Sequence, residues 1–412
     1  MPLSMRAALI AGAALLIPQT AFAEPISLDE AVERALATSP ELRARDAGVS
    51  AARAERMQAG FKPNPILSAE AENFVGTGDY SVFEQSELTF SYQQRIERGG
   101  KLGARVAVAE RGIELAEARA RVTRLELAQE VQRAFIDVQI AEQLVWIAER
   151  RLELEQEMQQ EALRRVRGYK DPLFVETRAD ARVTAARLAV EEATARRDGT
   201  RTYLASFWGG DAAAIEVPEG IERPDLVSTE LAAADAALRQ AAIERASAEV
   251  MLEQTRAVQD YTVSGGARFL RETNDVALVA GVSIPLGRFD RNQGNIERAR
   301  AERQRLEFEA EAERLARLRR LASLRADAEA ARMRAEGIME DVYPKATKAL
   351  EQVREGYNRG GFRFSDIEDA ADAIIEVQQQ WAEAIIRYRD VRSELDRLTG
   401  RFDISGEEEI LP

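Results

Sequence analysis

Residues 101–168 and 290–357 are two helical runs of equal length, each spanning about 100 Å at ~1.5 Å per residue. Their apolar positions follow heptad spacing. Val131, Ala134, Val138, Ala141, Val145, Ala148 and Leu152 step alternately by three and four, as do Leu321, Leu324, Ala328, Ala331, Ala335, Ile338 and Val342. A third seam runs Ile374, Val377, Trp381, Ala384, Tyr388, Val391, Leu395 and Leu398. Such seams mark coiled coils, and alanine at so many of their positions lets helix axes approach closely. Thr123, Leu127 and Val131 step by four and four, a stutter that locally relaxes the supercoil. Pro344 should kink the second run or begin a new segment.

The pattern is written twice. "GYKDPLFVETRADA" (168–181) and "GYNRGGFRFSDIEDAADA" (356–373) are each a Gly-Tyr, a short break, an acidic residue (Glu176, Asp366) and an Ala-rich restart. Gly-rich breaks, "IERGGKLG" (96–103) and "PLGRFDRNQG" (285–294), precede the long runs. Each half therefore reads helix, strand, strand, long helix, break, helix. Opening helices are expected over 26–60 and 226–258 and returning helices over 172–207 and 366–400. An opening and a returning helix together match one long run, so two can stack end to end along it. Residues 1–23 read as a secretory signal: Arg6, then an apolar stretch over 7–17, then "AFA" for cleavage after Ala23. The division is a signal (1–23), a first repeat (24–208), a Gly/Pro-containing linker (209–225), a second repeat (226–400) and a polar tail (401–412).

Strands are expected over 65–75, 86–93, 260–270 and 275–285. Leu88, Phe90 and Tyr92 share one face, and Val276, Leu278, Ala280, Val282 and Ile284 another. About ten residues suits a tilted membrane strand, and it equally suits a half-buried strand on a soluble core. Four strands cannot close a membrane barrel, and an open edge in lipid is forbidden. If these strands span, several chains share one barrel; three chains give twelve strands.

The chain has neither His nor Cys. That removes His-dependent and Cys-dependent nucleophiles, zinc sites with N/S ligands, disulfides and a lipidated Cys after the signal. A net charge of −14 argues against nucleic-acid binding. "GGKLG" (99–103) lacks the Ser/Thr and the spaced first Gly of a phosphate loop. "EEE" (407–409) lies in the polar tail, where it reads as solvated rather than cation-binding. No constellation suggests an active site, a cofactor or a resident metal, so the chain reads as a non-enzyme.

The duplicated order together with "GYNRGGFRFSDIEDA" resembles the TolC-type outer-membrane efflux proteins over roughly residues 26–400. "SYQQRIERGGKLGAR" (91–105) and "SIPLGRFDRNQGNIERA" (283–299) are most similar to the CzcC-type branch. The resemblance implies a mainly α fold with a small β part. It would be an internally duplicated, long-helix coiled-coil α-barrel in the periplasm, plus a shared transmembrane β-barrel of twelve strands in a homotrimer. The implied partners are outer-membrane lipid, a periplasmic adaptor (membrane fusion protein) and an inner-membrane pump of the proton-driven RND type. The implied cargo is divalent heavy-metal cations. Asp366 and Asp369 match the family's acidic pore-constriction positions. At i, i+3 they share a helix face, and equally they suit a helix N-terminus. Tyr169, Glu176, Tyr357, Gly360, Gly361, Phe362 and Phe364 form the hairpin tips where an adaptor would dock, although Phe362 and Phe364 could instead pack beneath the turn. Leu88, Phe90, Tyr92, Val276 and Leu278 would face lipid. The first tip departs from the family pattern, with Asp171-Pro172 in place of a second Gly. A soluble periplasmic coiled-coil adaptor or scaffold is the competing reading, and it would not need apolar strand rows.

Overall fold

The computed structural model describes residues 26–80, 83–218 and 230–403. The expected signal, part of the linker (219–225) and most of the tail (404–412) lie outside these. The helices are α1 (Leu28–Thr38), α2 (Pro40–Ala59), α3 (Lys101–Arg167), α4 (Leu173–Ser206), α5 (Ala233–Arg256), α6 (Gln293–Gly337), α7 (Tyr343–Asn358) and α8 (Phe364–Thr399). The strands are β1 (Ile66–Glu72), β2 (Glu87–Ile96), β3 (Tyr261–Leu270) and β4 (Asp275–Ser283).

Helix α3 is the organising element. Its 67 residues contain no proline and are rich in Ala, Leu, Glu and Arg, the strong helix formers. α2 lies along its sheet end, where Arg53 and Arg56 pair with Glu117 and Glu110. α1 meets its middle through Ala31, Val32 and Ala35, packed with Leu127, Val131 and Val138. α4 lies along its far end, where Arg182 bonds Glu155. The first opening helix, expected as one piece, is two. Pro40 supplies no N–H and disfavours helical backbone at Ser39, which takes φ −58°, ψ 121° and caps α2 by accepting from Leu42 N–H at 3.3 Å.

The second long run does not stop at Pro344. Residues Ile338–Val342 form one π-helical turn in which the Tyr343 N–H bonds the Ile338 carbonyl, five residues back. The wider turn carries the proline without ending the helix. It also shifts the seam: Leu321 through Ile338 are buried as spaced, whereas Val342 is 44% exposed.

The four strands form one antiparallel sheet in chain order. Its register pairs Ala69, Phe90, Ala267 and Leu278 across all four strands. Where β2 turns into α3, Asp260 is buried and gathers four donors. Arg95 reaches it at 2.7 and 3.0 Å, the Arg98 N–H at 3.1 Å and Lys101 Nζ at 2.6 Å. Gly99 sits at φ +70°, and a Cβ there would come within 2.8 Å of Val258. This knot ties the end of α5 to the start of α3, and so joins the two halves of the chain beside the sheet. Replacing Asp260 by Ala would leave the buried Lys101 ammonium without its partner. We expect a loss of about 3–5 kcal/mol, read by thermal unfolding in detergent, with partial recovery in Asp260→Ala/Lys101→Met.

Candidate functional site

The two hairpin tips meet side by side at the end of the molecule distant from the sheet. In the second, the Gly360 N–H bonds Tyr357 O at 2.9 Å and the Gly361 N–H bonds Gly356 O at 2.8 Å. Of the glycine pair only Gly360 adopts a left-handed backbone, at φ +84°. Gly356 leaves room for the Phe362 ring, which a Cβ there would meet at 2.1 Å. In the first tip Tyr169 takes the left-handed conformation itself, at φ +56°. Asp171 receives Arg165 at 2.9 and 3.2 Å and the Tyr357 hydroxyl at 2.5 Å. Arg165 also donates to the Tyr357 carbonyl at 2.7 Å and lies 4.1 Å from that ring's centre. The hydrogen bond from Arg165 holds the Asp171 carboxyl below its ordinary value, and the Tyr357 hydroxyl adds to this; burial pushes the Tyr357 phenol up.

This arrangement corrects part of the expected docking set. Tyr357 is fully buried and Phe364 is 6% exposed; both pack with Ile367, Val175 and Met158 beneath the tips and offer no surface. Tyr169 at 98%, Leu173 at 70%, Phe174 at 63% and Phe362 at 46% are the exposed apolar side chains there. Leu173 and Phe174 were not singled out from the sequence, although "DPLF" directly after the break is the signal that could have found them. Glu176 is half-buried in the first turn of α4.

Asp366 reaches back to accept from the Arg363 N–H at 2.7 Å, so it caps α8. Asp369 is exposed. Between them Glu368 faces inward, 1% exposed, paired with Arg178 of α4 at 2.7 Å. Burial pushes its carboxyl up against the opposing pull of Arg178 and Arg182. Arg182 bonds Glu155 on α3 at 2.8 Å and Asp372 on α8 at 2.5 Å, so three helices converge behind the two candidate pore carboxylates. Among the described residues there is no cluster of three or more metal-ligating side chains.

The sheet gathers most of its large apolar side chains on one face. Paired residues project on the same side, so the register gathers Leu67, Leu88, Phe90, Tyr92, Phe269, Val276, Leu278 and Val282 on one face. Phe90, Tyr92, Val276 and Leu278 are 52%, 51%, 68% and 88% exposed, and Leu88 is 38% exposed. The other face carries Ser68 bonded to Ser91 at 2.8 Å, and Arg268 bonded to Thr89 at 3.1 Å and Glu87 at 2.7 Å. No helix among the described residues is long and apolar enough to cross a membrane.

Residues 31–210 match the family described as outer membrane efflux protein. The nickel-cobalt-cadmium resistance protein NccC of Alcaligenes xylosoxydans is 30% identical over 308 residues, 72% of this chain and 70% of that protein. The chain belongs to the outer membrane efflux protein family. The cobalt-zinc-cadmium resistance protein CzcC of Cupriavidus metallidurans is 29% identical over 92% of this chain and 91% of its own. The fold is that of outer-membrane channels. VceC of Vibrio cholerae superposes with a TM-score of 0.74 over 90% of this chain and 95% of its own, at 20% identity. CusC superposes with a TM-score of 0.74 over 90% and 91%, at 15% identity. As an outer membrane efflux protein, the chain resides in the outer membrane and extends into the periplasm.

The tip contact in this efflux protein should be acid-sensitive. Asp171 titrates lower when folded, so its stabilisation is complete above the ordinary carboxylate range and fades as pH falls below about 4. Hydrogen exchange at 165–172 and 354–364 should accelerate there, and Asp171→Asn should remove that pH dependence. Tyr357→Phe loses a hydrogen bond to a charged group, and we expect a cost of about 1.5–3 kcal/mol at neutral pH.

Proposed function

We propose that the chain is one third of a homotrimeric, passive outer-membrane conduit that carries divalent metal cations from the periplasm to the exterior. The observation that carries this reading is the sheet: four strands, one apolar face, and β1 and β4 each paired on a single side. Unpaired backbone at a membrane-embedded edge costs several kcal/mol per group, so the edges must meet other copies. Three copies make twelve strands, with Leu88, Phe90, Tyr92, Val276 and Leu278 toward lipid and the Arg268 side toward the lumen. A soluble periplasmic adaptor would leave that apolar face without a role.

The helices then form the periplasmic barrel. A periplasmic adaptor docks at the exposed tip residues Tyr169, Leu173, Phe174 and Phe362, with Glu176, Gly360 and Gly361 shaping the turns. An inner-membrane pump of the RND type supplies energy and substrate choice. Lys101 of "GGKLG" is committed to Asp260. The cation cargo is supported by the relatives' names, cobalt-zinc-cadmium and nickel-cobalt-cadmium resistance proteins. Export begins with the signal at 1–23, and the two repeats, 24–208 and 226–400, supply equivalent halves of each protomer's wall.

Native mass spectrometry in detergent should return three chains, and a stable membrane-inserted monomer would overturn the assembly. Six carboxylates from Asp366 and Asp369 at the periplasmic constriction would favour cations. In planar bilayers, Asp366→Asn/Asp369→Asn should lower cation selectivity and weaken block by multivalent cations. Unchanged selectivity and block would leave Asp366 a helix cap only.

A further inference from the structure

The two strand-to-helix junctions have opposite characters. The first converges on buried Asp260. The second, residues 284–292, is held by its own polar groups. Its Arg288 N–H bonds Leu286 O at 2.8 Å, the Asn292 N–H bonds Asp290 Oδ1 at 2.8 Å, and the Arg291 side chain bonds Gly287 O at 3.3 Å. The Asn292 side chain anchors the segment to α5 through Glu253 O at 2.9 Å and Glu253 Oε2 at 2.6 Å. Gly287 lies against Gln259, where a Cβ would come within 3.2 Å. A segment held this way would be expected to tuck its large apolar groups inward. Instead Ile284 is 54% exposed, Leu286 89% and Phe289 84%. Arg288, itself exposed, stands 5.4 Å from the centre of the Phe289 ring, and Arg291 is exposed beside it.

We propose that Leu286 and Phe289 are a membrane-surface wedge, inserted at the periplasmic margin of the bilayer, with Arg288 and Arg291 reaching phosphate headgroups. The inference rests on the reading of the apolar sheet face as lipid-facing. Two observations select lipid as the occupant. The exposed row of β4, Val276, Leu278 and Val282, is followed directly after the strand ends at Ser283 by exposed Ile284 and Leu286, so exposed apolar side chains extend from that row into the junction. Two arginines against the single Asp290 leave the segment net positive, which complements anionic phosphate. Long basic side chains, with an apolar stem and a charged head, also settle at a membrane–water boundary. In the proposed trimer a second copy would meet β4 along its edge, in the plane of the sheet, and not on the face that carries this row.

The absence of native cysteine makes the test clean. Leu286→Cys and Phe289→Cys would each be labelled with an environment-sensitive fluorophore in the full-length protein, reconstituted in phospholipid nanodiscs. Leu278→Cys serves as the mid-sheet reference and Tyr169→Cys as the aqueous reference. Labels at 286 and 289 should be quenched by lipids bearing a nitroxide near the headgroup, and their access to aqueous iodide should be several-fold lower than at 169. Iodide access equal to that at 169 would overturn the wedge, as would protection from both quenchers, which would mean that a second copy covers it. A Leu278 label that lipid nitroxides do not quench would instead defeat the lipid-facing sheet itself. Arg288→Glu/Arg291→Glu should reduce lipid quenching of the Phe289→Cys label by at least about twofold, and no reduction would overturn the headgroup contact.

Discussion

Burial along α3 is the constraint on which the rest of the molecule depends. A helix of 67 residues cannot be covered by one partner of ordinary length, so α2, α1 and α4 follow one another along it, and α5 and α8 pack on it as well, as at Leu115, Ala118 and Ala241 and at Gln132 and Asp396. Each buried Val or Leu of its seam contributes about 1.5–3 kcal/mol of transfer free energy. The alanines between them contribute less burial and allow closer approach. The outcome is a rod whose thin core is divided into separate clusters, among them one at mid-length (Leu127–Val138) and one at the tips (Met158, Ala162), instead of one central core.

A rod of this kind places its chemistry at its ends. At one end the sheet sorts side chains by face, because antiparallel register forces opposed residues to the same side. The salt bridges of Arg268 with Glu72 and Glu87 then lie opposite the exposed aromatic and aliphatic rows. The Asp260 knot fixes where the sheet leaves the helices. Its carboxylate has enough donors that its burial is compensated, whereas a lone buried charge there would be costly.

At the other end, charge does the joining. Arg165, Asp171 and Tyr357 connect the first tip to the second. Arg182 and Arg178 bring Glu155, Asp372 and Glu368 together behind α8. Glu368 is the least comfortable of these. Nearly all of its side chain is out of water, its carboxyl oxygens have no hydrogen bond, and its ion-pair partner Arg178 is 54% exposed. The backs of the candidate pore residues are thus held by polar contacts and by a small apolar cluster under the turns.

Heptad spacing and repeat order in the sequence determine the long helices, the four strands and their sequence limits to within a few residues, because these depend on local periodicity and on Gly and Pro punctuation. Local periodicity was not enough at Ser39-Pro40, where the opening helix divides, or at Pro344, where a π turn absorbs a residue that simple heptad counting assigns to the seam. Contacts between distant segments were decided only by tertiary structure. Tyr357 and Phe364 look in sequence like candidates for exposure at a tip, yet they become core because Met158 and Val175 arrive from two other helices, α3 and α4. Asp171 reads as a departure from the family's tip pattern until folding places it within 2.5 Å of a hydroxyl 186 residues away. Strand alternation identifies two apolar rows, but only the register across four strands makes them one continuous surface, since a slip of one residue would have sent each row to the opposite face.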